Sequence, residues 1–154
     1  MNRHQADVNT WMTTPVITIR SDESLFNAYN LMFENDVRRL PVVDSQDYLV
    51  GMLTMSDILQ TVPFAPTDEE EAEPSRLLIK LQTVEDIMSC DPITITAEER
   101  VQEAAERMLE YKVSGLPVIE GEKVIGIITE SDIFRLVVES WTKDGMRTTS
   151  HRVA

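Results

Sequence analysis

The feature that most constrains this chain is an internal repeat. When the 154-residue sequence is shifted by 76 positions, residues 8–44 align with residues 84–120. After a one-residue gap at Ser45, residues 46–58 align with residues 121–133, and 18 of the 50 aligned pairs are identical. Repeats of this kind are supersecondary units that bury their apolar faces against neighbouring copies. The sequence therefore predicts two similar halves that depend on each other for a core.

Both halves show the same predicted order of elements. Alternating apolar residues at 17–19 and 93–95 predict short strands. Apolar residues at helical spacing then predict a helix with one buried stripe. Strands are predicted at 40–43 and 48–53, and again at 116–119 and 123–128, each pair followed by a helix. The predicted fold class is α/β of the α+β kind, with two β-α-β-β-α repeats. The two stripes comprise Leu25, Ala28, Tyr29, Met32 and Phe33, and Val101, Ala104, Ala105, Met108 and Leu109.

Composition changes divide the chain into four predicted parts. Repeat 1 is assigned to residues 1–62, and repeat 2 to residues 83–142. Between them, residues 63–82 hold an acidic run at 68–71 and a predicted linking helix at 76–82. Such a charge run is typical of a solvated loop, with partner recognition as the alternative. Residues 143–154 are predicted to form a flexible polar tail.

The charge of the chain limits its partners. The formal net charge is −13, from 27 acidic and 14 basic residues. Proteins that bind nucleic acid neutralise phosphates with clustered lysines and arginines, so we expect no nucleic-acid partner. A small anion is still compatible with this charge, because a few local arginines are enough to bind one phosphate group.

Sequence features also predict the compartment and argue against catalysis. The single cysteine and the absence of a signal-like or membrane-spanning apolar run predict a cytoplasmic protein without a membrane partner. Both histidines lie near the ends, at His4 and His151. There is no glycine-rich phosphate loop, no metal-ligand spacing and no nucleophile elbow. We therefore expect no enzymatic activity, no metal and no cofactor.

Two motifs, each present in both halves, resemble those of a known family. The first runs Val37-Arg38-Arg39-Leu40-Pro41-Val42-Val43 and recurs as Val113-Ser114-Gly115-Leu116-Pro117-Val118-Ile119. The second runs Val50-Gly51-Met52-Leu53-Thr54-Met55-Ser56-Asp57 and recurs as Ile125-Gly126-Ile127-Ile128-Thr129-Glu130-Ser131-Asp132. Two such copies resemble tandem CBS (cystathionine β-synthase-type) domains, together called a Bateman module. The resemblance covers about residues 8–140.

The resemblance implies a fold, a function and partners. It implies two repeats packed about a pseudo-twofold axis, with two clefts between them, and commonly a homodimer. It also implies regulatory sensing of an adenine nucleotide (AMP, ADP or ATP, hence energy sensing) or of S-adenosylmethionine, on behalf of a regulated partner that the sequence does not name. The alternative is a CBS pair without ligand that serves as a dimerisation scaffold. The apolar face of the last helix supports dimerisation under either hypothesis; it comprises Ile133, Phe134, Val137, Val138 and Trp141.

The resemblance also implies two sets of ligand-binding residues. A carboxylate can accept hydrogen bonds from both hydroxyls of a ribose, and Asp57 and Asp132 stand at the family positions for this role. Each cleft is expected to combine one Thr-x-x-Asp with residues of the other repeat. The better phosphate site is expected at Asp132, because two arginines would join it. The Asp132 set is Thr129, Ser131, Asp132, Ile17, Thr18, Arg38 and Arg39; the Asp57 set is Thr54, Asp57, Ile93, Thr94, Ser114 and Gly115.

Structural interpretations stand beside these functional ones. Thr-x-x-Asp is also the spacing of a helix cap, in which the two side chains satisfy the start of a helix. Arg38 and Arg39 follow a predicted helix, whose carboxyl end favours cations in any case. Gly51 and Gly126 indicate either a close backbone approach or a bend. The residues alone leave these alternatives open.

Overall fold

The computed structural model describes residues 6–61 and 81–143. Within these ranges it contains two small sheets and six helices. The predicted acidic run at 68–71, most of the predicted linking helix and residues 144–154 lie outside the described residues. None of the described helices has the length and apolar character required to cross a membrane.

The elements follow the predicted order, with one short helix added at the start of each repeat. The helices are α1 Val8–Trp11, α2 Leu25–Glu34, α3 Met55–Thr61, α4 Val84–Ile87, α5 Val101–Tyr111 and α6 Glu130–Lys143. The strands are β1 Ile19–Arg20, β2 Arg39–Val43, β3 Leu49–Thr54, β4 Ser89–Cys90, β5 Ile95–Thr96, β6 Gly115–Glu120 and β7 Lys123–Thr129. The mixed α+β class predicted from the sequence is confirmed.

The chain forms two compact units that do not coincide with the order of the repeats. The N-terminal unit consists of residues 15–61, 81–92 and 120–124. The C-terminal unit consists of residues 6–14, 93–119 and 125–143. Each unit therefore takes its leading segment, residues 6–14 or 81–92, from the start of the other repeat; these two are called the exchanged segments below.

The N-terminal unit is built on a sheet of order β1-β2-β3-β4. β1 runs parallel to β2, and β2–β3 and β3–β4 are antiparallel. Its core is a cluster of fully or largely buried apolar side chains contributed by its helices and strands. Val84 of α4 is completely buried in this cluster, and the Val84 N–H donates to the carbonyl of Glu23 at 2.8 Å. The segment 81–92 is thus an integral part of this unit.

The C-terminal unit repeats the arrangement on the sheet β5-β6-β7. Val8 of α1 is completely buried in its core, and the Val8 N–H donates to the carbonyl of Glu99 at 2.9 Å. Thr13 pairs with Ile127 as an isolated antiparallel bridge, at the position where β4 pairs with β3 in the other unit. The segment 6–14 therefore belongs to the sheet and core of the second repeat.

The buried stripes are narrower than the helical spacing predicted. Leu25, Ala28 and Met32 of α2 are fully buried, as predicted, but Tyr29 and Phe33 are 40% and 76% exposed. In α5, Val101, Ala104 and Met108 are buried, while Leu109 is 81% exposed. The prediction was wrong at the outer edge of each stripe, because a short helix on a small sheet covers only about one row of side chains on each side of its contact line.

Candidate functional site

Each Thr-x-x-Asp motif stands where a central strand ends and a helix begins. β3 ends at Thr54 and α3 begins at Met55; β7 ends at Thr129 and α6 begins at Glu130. The N–H of Met55 donates to the Arg38 carbonyl at 2.7 Å, and the N–H of Glu130 donates to the Ser114 carbonyl at 3.1 Å. The residue before each Leu-Pro strand is thus tied to the Thr-x-x-Asp motif of its own repeat.

Both aspartates make the capping contact that their spacing predicts. The N–H of Thr54 donates to Asp57 Oδ2 at 2.8 Å, and the N–H of Asp57 donates to Thr54 Oγ1 at 3.1 Å. The N–H of Thr129 donates to Asp132 Oδ2 at 2.9 Å, and Thr129 Oγ1 lies 3.2 Å from the same oxygen. Capping therefore occupies one oxygen of each carboxylate, and the second oxygen decides what more each can bind.

Asp132 is bound by further groups of the C-terminal unit. Its side chain is buried, with 3% of the residue exposed. Thr13 Oγ1 lies 3.1 Å from Oδ1, and the Arg135 guanidinium donates to Oδ1 at 3.1 Å. The same Arg135 nitrogen reaches the Trp11 carbonyl at 3.3 Å, and the guanidinium lies 5.8 Å from the centre of the Trp11 ring. Thr13 and Arg135 were not among the site residues predicted from the sequence.

A local sequence pattern predicts the contact of Arg135 with Asp132, but none predicts the contact of Thr13. Arg135 stands three residues after Asp132 on a predicted helix, and that spacing places the two side chains side by side. The pairing of Arg135 with Asp132 could therefore have been predicted from the sequence. Thr13 is 119 residues away from Asp132 and reaches it only because the segment 6–14 joins the second repeat. No local pattern indicates such a contact.

The predicted arginines lie beside the Thr54 strand end. Arg39 is directly opposite Thr54 in the antiparallel β2–β3 pair, and directly opposite residues share one face of a sheet. Arg38 precedes β2 and its side chain is exposed. The N-terminal unit thus places the backbone of Arg38 and Arg39 next to the end of β3 at Thr54. The expectation that these arginines serve the Asp132 site stays a prediction.

The remaining predicted site residues lie just before β1 and β5, or near the end of β7 at Thr129. Ile17 and Thr18 lie just before β1, and Ile93 and Thr94 just before β5; all four are half-buried. Ser114 is half-buried, Gly115 is buried and Ser131 is exposed. The Thr94 carbonyl accepts a hydrogen bond from Arg107 at 2.9 Å.

An ion pair supports the segment before β5. Arg107 binds the Glu99 carboxylate through both of its terminal nitrogens, one of them also contacting Thr94. The hydrogen bond from Arg107 lowers the pKa of Glu99 below its ordinary value in spite of partial burial, and the Thr96 N–H adds to the effect. The pair therefore holds the backbone at Thr94, which is itself a predicted site residue.

Gly51 and Gly126 occupy equivalent positions of the two repeats, and each faces a methionine. A Cβ atom added at Gly51 would lie 2.5 Å from Met88 Sδ and 2.8 Å from the Ser89 carbonyl oxygen. At Gly126 it would lie 2.7 Å from Met12 Sδ. Of the two explanations for these glycines, close approach is the one that the structure supports, since the exchanged segments cross directly over them.

Comparison with known proteins identifies the class. The CBS domain family matches residues 6–63 and 84–139, and the chain belongs to this family. A CBS domain-containing protein of Dictyostelium discoideum is 33% identical over 135 residues, which is 86% of this chain and 91% of that protein. The inosine-5′-monophosphate dehydrogenase of Korarchaeum cryptofilum is 37% identical over 120 residues, 77% of this chain but 22% of the enzyme. The resemblance inferred from the two motifs is confirmed.

Solved structures of similar chains hold adenosine compounds. A CBS domain pair in complex with 5′-methylthioadenosine and S-adenosyl-L-methionine is 30% identical, with a TM-score of 0.72 and coverage of 87% of this chain and 97% of that one. CBSX2 in complex with AMP is 27% identical, with a TM-score of 0.71 and coverage of 88% and 98%. By contrast, the chain spans only 22% to 31% of the length of the first curated relatives that it matches.

Proposed function

We propose that this chain is a regulatory module that binds an adenosine-containing ligand of the AMP, ADP and ATP class and catalyses no reaction itself. The observation that carries the proposal is the Thr54 strand end, where a hydroxyl, a partly exposed carboxylate and two arginines lie in one unit. A carboxylate accepts from paired ribose hydroxyls, and arginine donates to phosphate. Similar CBS pairs that hold AMP or S-adenosylmethionine support the same ligand class, and S-adenosylmethionine stays in the panel below.

The proposed role is sensing on behalf of another protein. The relatives that are named as enzymes are several times longer than the part that matches this chain, and most of each enzyme has no counterpart here. Within residues 6–61 and 81–143, no three metal-binding side chains cluster together. We accordingly assign this chain the regulatory part alone, acting in the cytoplasm as the composition predicts, and propose that ligand occupancy is what its partner protein detects.

Thermal denaturation with a ligand panel tests the proposal. A ligand present at 100 times its dissociation constant adds ~2.7 kcal/mol to the free energy of unfolding. For a chain of this size that corresponds to a rise of about 5–10 °C in Tm. We expect such a rise with at least one of AMP, ADP, ATP and S-adenosylmethionine, and none with the matched guanosine nucleotides. A panel without any shift would contradict the proposal.

An arginine variant tests how the phosphate is bound. Arg38→Ala should weaken AMP binding about tenfold or more, because a hydrogen bond to a charged group contributes about 1.5–3 kcal/mol. Adenosine, which carries no phosphate, should bind this variant as it binds the wild-type chain. Because the Arg38 side chain is exposed, its removal leaves no cavity. Equal losses for adenosine and AMP would show that Arg38 does not meet the phosphate.

The second candidate function is a ligand-free dimerisation scaffold, and one observation favours it. Phe134, Val138 and Trp141 lie along α6 at helical spacing and are 66%, 55% and 53% exposed. A row of large exposed apolar residues is typical of an interface. We propose that α6 forms a homodimer contact under either function, which sedimentation of the wild-type chain tests. Dimerisation combined with no response to the ligand panel would favour the scaffold.

A further inference from the structure

The two Thr-x-x-Asp motifs have the same sequence spacing but different surroundings. A carboxylate offers about four lone-pair positions. At Asp132, Oδ2 takes the Thr129 N–H and hydroxyl, and Oδ1 takes Thr13 and Arg135. With only 3% of the residue exposed, Asp132 has neither free acceptor positions nor access to solvent.

Asp57 keeps one oxygen available. Its Oδ2 accepts from the Thr54 N–H, and among the described residues no donor reaches its Oδ1. The repeat alignment explains the difference: Gln60 stands where repeat 2 has Arg135, and Ser89 stands where the other leading segment has Thr13. Gln60 and Ser89 are both exposed, and neither is bonded to Asp57. Gln60 lacks the charge of Arg135, whereas Ser89 keeps a hydroxyl that does not contact Asp57, so the asymmetry combines one change of side-chain chemistry with a different placement of a hydroxyl.

We propose that Arg135 and Thr13 hold Asp132 as a structural carboxylate, so that Asp57 alone is left to accept the ribose hydroxyls and each chain binds one ligand. This inference rests on the proposed function and names the site within it. To bind a ribose at Asp132, the contacts with Thr13 and Arg135 must break, and the freed groups lose their charge-assisted partner. At Asp57 Oδ1, no hydrogen bond from the described residues has to break.

The charge distribution agrees with this assignment. Arg38 and Arg39 lie beside the Thr54 strand end, whereas the equivalent positions beside the Thr129 strand end are Ser114 and Gly115. The available carboxylate and the phosphate-binding donors thus occur in the same unit. The proposal therefore differs from the expectation drawn from the sequence, in which Asp132 was the better phosphate site.

Binding stoichiometry in matched variants tests the assignment. Asparagine is the suitable replacement for either aspartate, because its amide oxygen can still accept the capping N–H bond. In titrations with AMP and with adenosine, the wild-type chain should bind one ligand, and Asp57→Asn should weaken binding at least tenfold. Asp132→Asn should keep the wild-type affinity within about threefold. Loss of binding in Asp132→Asn together with normal binding in Asp57→Asn would overturn the assignment.

A second measurement keeps the assignment testable without any ligand. The double-mutant cycle of Asp132→Asn and Arg135→Gln should show coupling in urea denaturation, and the cycle of Asp57→Asn and Gln60→Ala should show none. Coupling between Asp132 and Arg135, combined with no nucleotide binding by the wild-type chain, would refute the proposed function but would support the structural role of Asp132. Absence of coupling at Asp132 would refute that structural role, whatever the chain binds.

Discussion

Because the leading segments are exchanged, a substitution at the start of one repeat should destabilise the unit built on the other repeat. Val8 lies at the start of repeat 1 but is buried in the C-terminal unit, and Val84 lies at the start of repeat 2 but is buried in the N-terminal unit. Both valines are 0% exposed and occupy equivalent positions of the repeat. Val8→Ala should therefore destabilise the C-terminal unit, and Val84→Ala the N-terminal unit.

The size of the effect follows from the buried groups removed. Each substitution deletes two methyl groups, or about 1.6 kcal/mol at 0.8 kcal/mol per buried carbon. The cavity left behind adds to this, so we expect about 2–3 kcal/mol in total. Asn9→Ala is the matched control on the same helix, because Asn9 is exposed and should change stability by less than about 0.5 kcal/mol.

Amide hydrogen exchange locates the damage. Val42 of β2 and Val118 of β6 are equivalent, fully buried strand residues, one in each unit. Local opening accelerates exchange about tenfold per 1.4 kcal/mol of lost stability. Val8→Ala should speed exchange at Val118 about 30-fold or more and affect Val42 less; Val84→Ala should do the reverse. Interchanged effects, or equal effects of both variants at both amides, would refute the exchanged arrangement.

The glycine contacts and the ion pair make two further predictions. Gly51→Ala should cost about 1–3 kcal/mol in urea denaturation and more than Gly126→Ala, because its Cβ would meet the Ser89 carbonyl at 2.8 Å, whereas the nearest backbone atom at Gly126 lies at 3.3 Å; the opposite order would contradict the contact geometry. The lowered pKa of Glu99 means that the folded chain holds this proton less tightly than the unfolded chain, so its contribution to stability is present above the ordinary glutamate pKa and is lost as the pH falls below it. Arg107→Gln should remove this part of the acid dependence in denaturation curves from pH 6 to 3, and an unchanged curve would count against the pair.

Much of the fold was predictable because its signals are local. Alternating and helical apolar patterns located the β2, β3, β6 and β7 strands and the α2 and α5 helices to within about two residues. The leading segments were different. The alignment shows that residues 8–11 and 84–87 are equivalent, but equivalence does not say which sheet each segment joins. That choice depends on burial of Val8 and Val84 in cores formed by distant residues.

The candidate site was predictable in its residue types but not in its asymmetry. Thr-x-x-Asp occurs twice with the same spacing, so sequence alone gives Asp57 and Asp132 equal standing as acceptors. Their difference depends on a side chain one helical turn away, Arg135, and on Thr13, which is brought in by the exchanged segment. A contact between residues 13 and 132 has no periodic signature in a single sequence.

The central claim is that the chain binds an adenosine-containing ligand, and isothermal titration of the purified wild-type protein tests it most directly. We predict a saturable heat with AMP, ADP, ATP or S-adenosylmethionine, fitting one ligand per chain, and no saturable heat with guanosine monophosphate. If none of the four adenosine compounds gives saturable binding at concentrations up to about 1 mM, where even a binding free energy of about −4 kcal/mol would be detected, the account is contradicted.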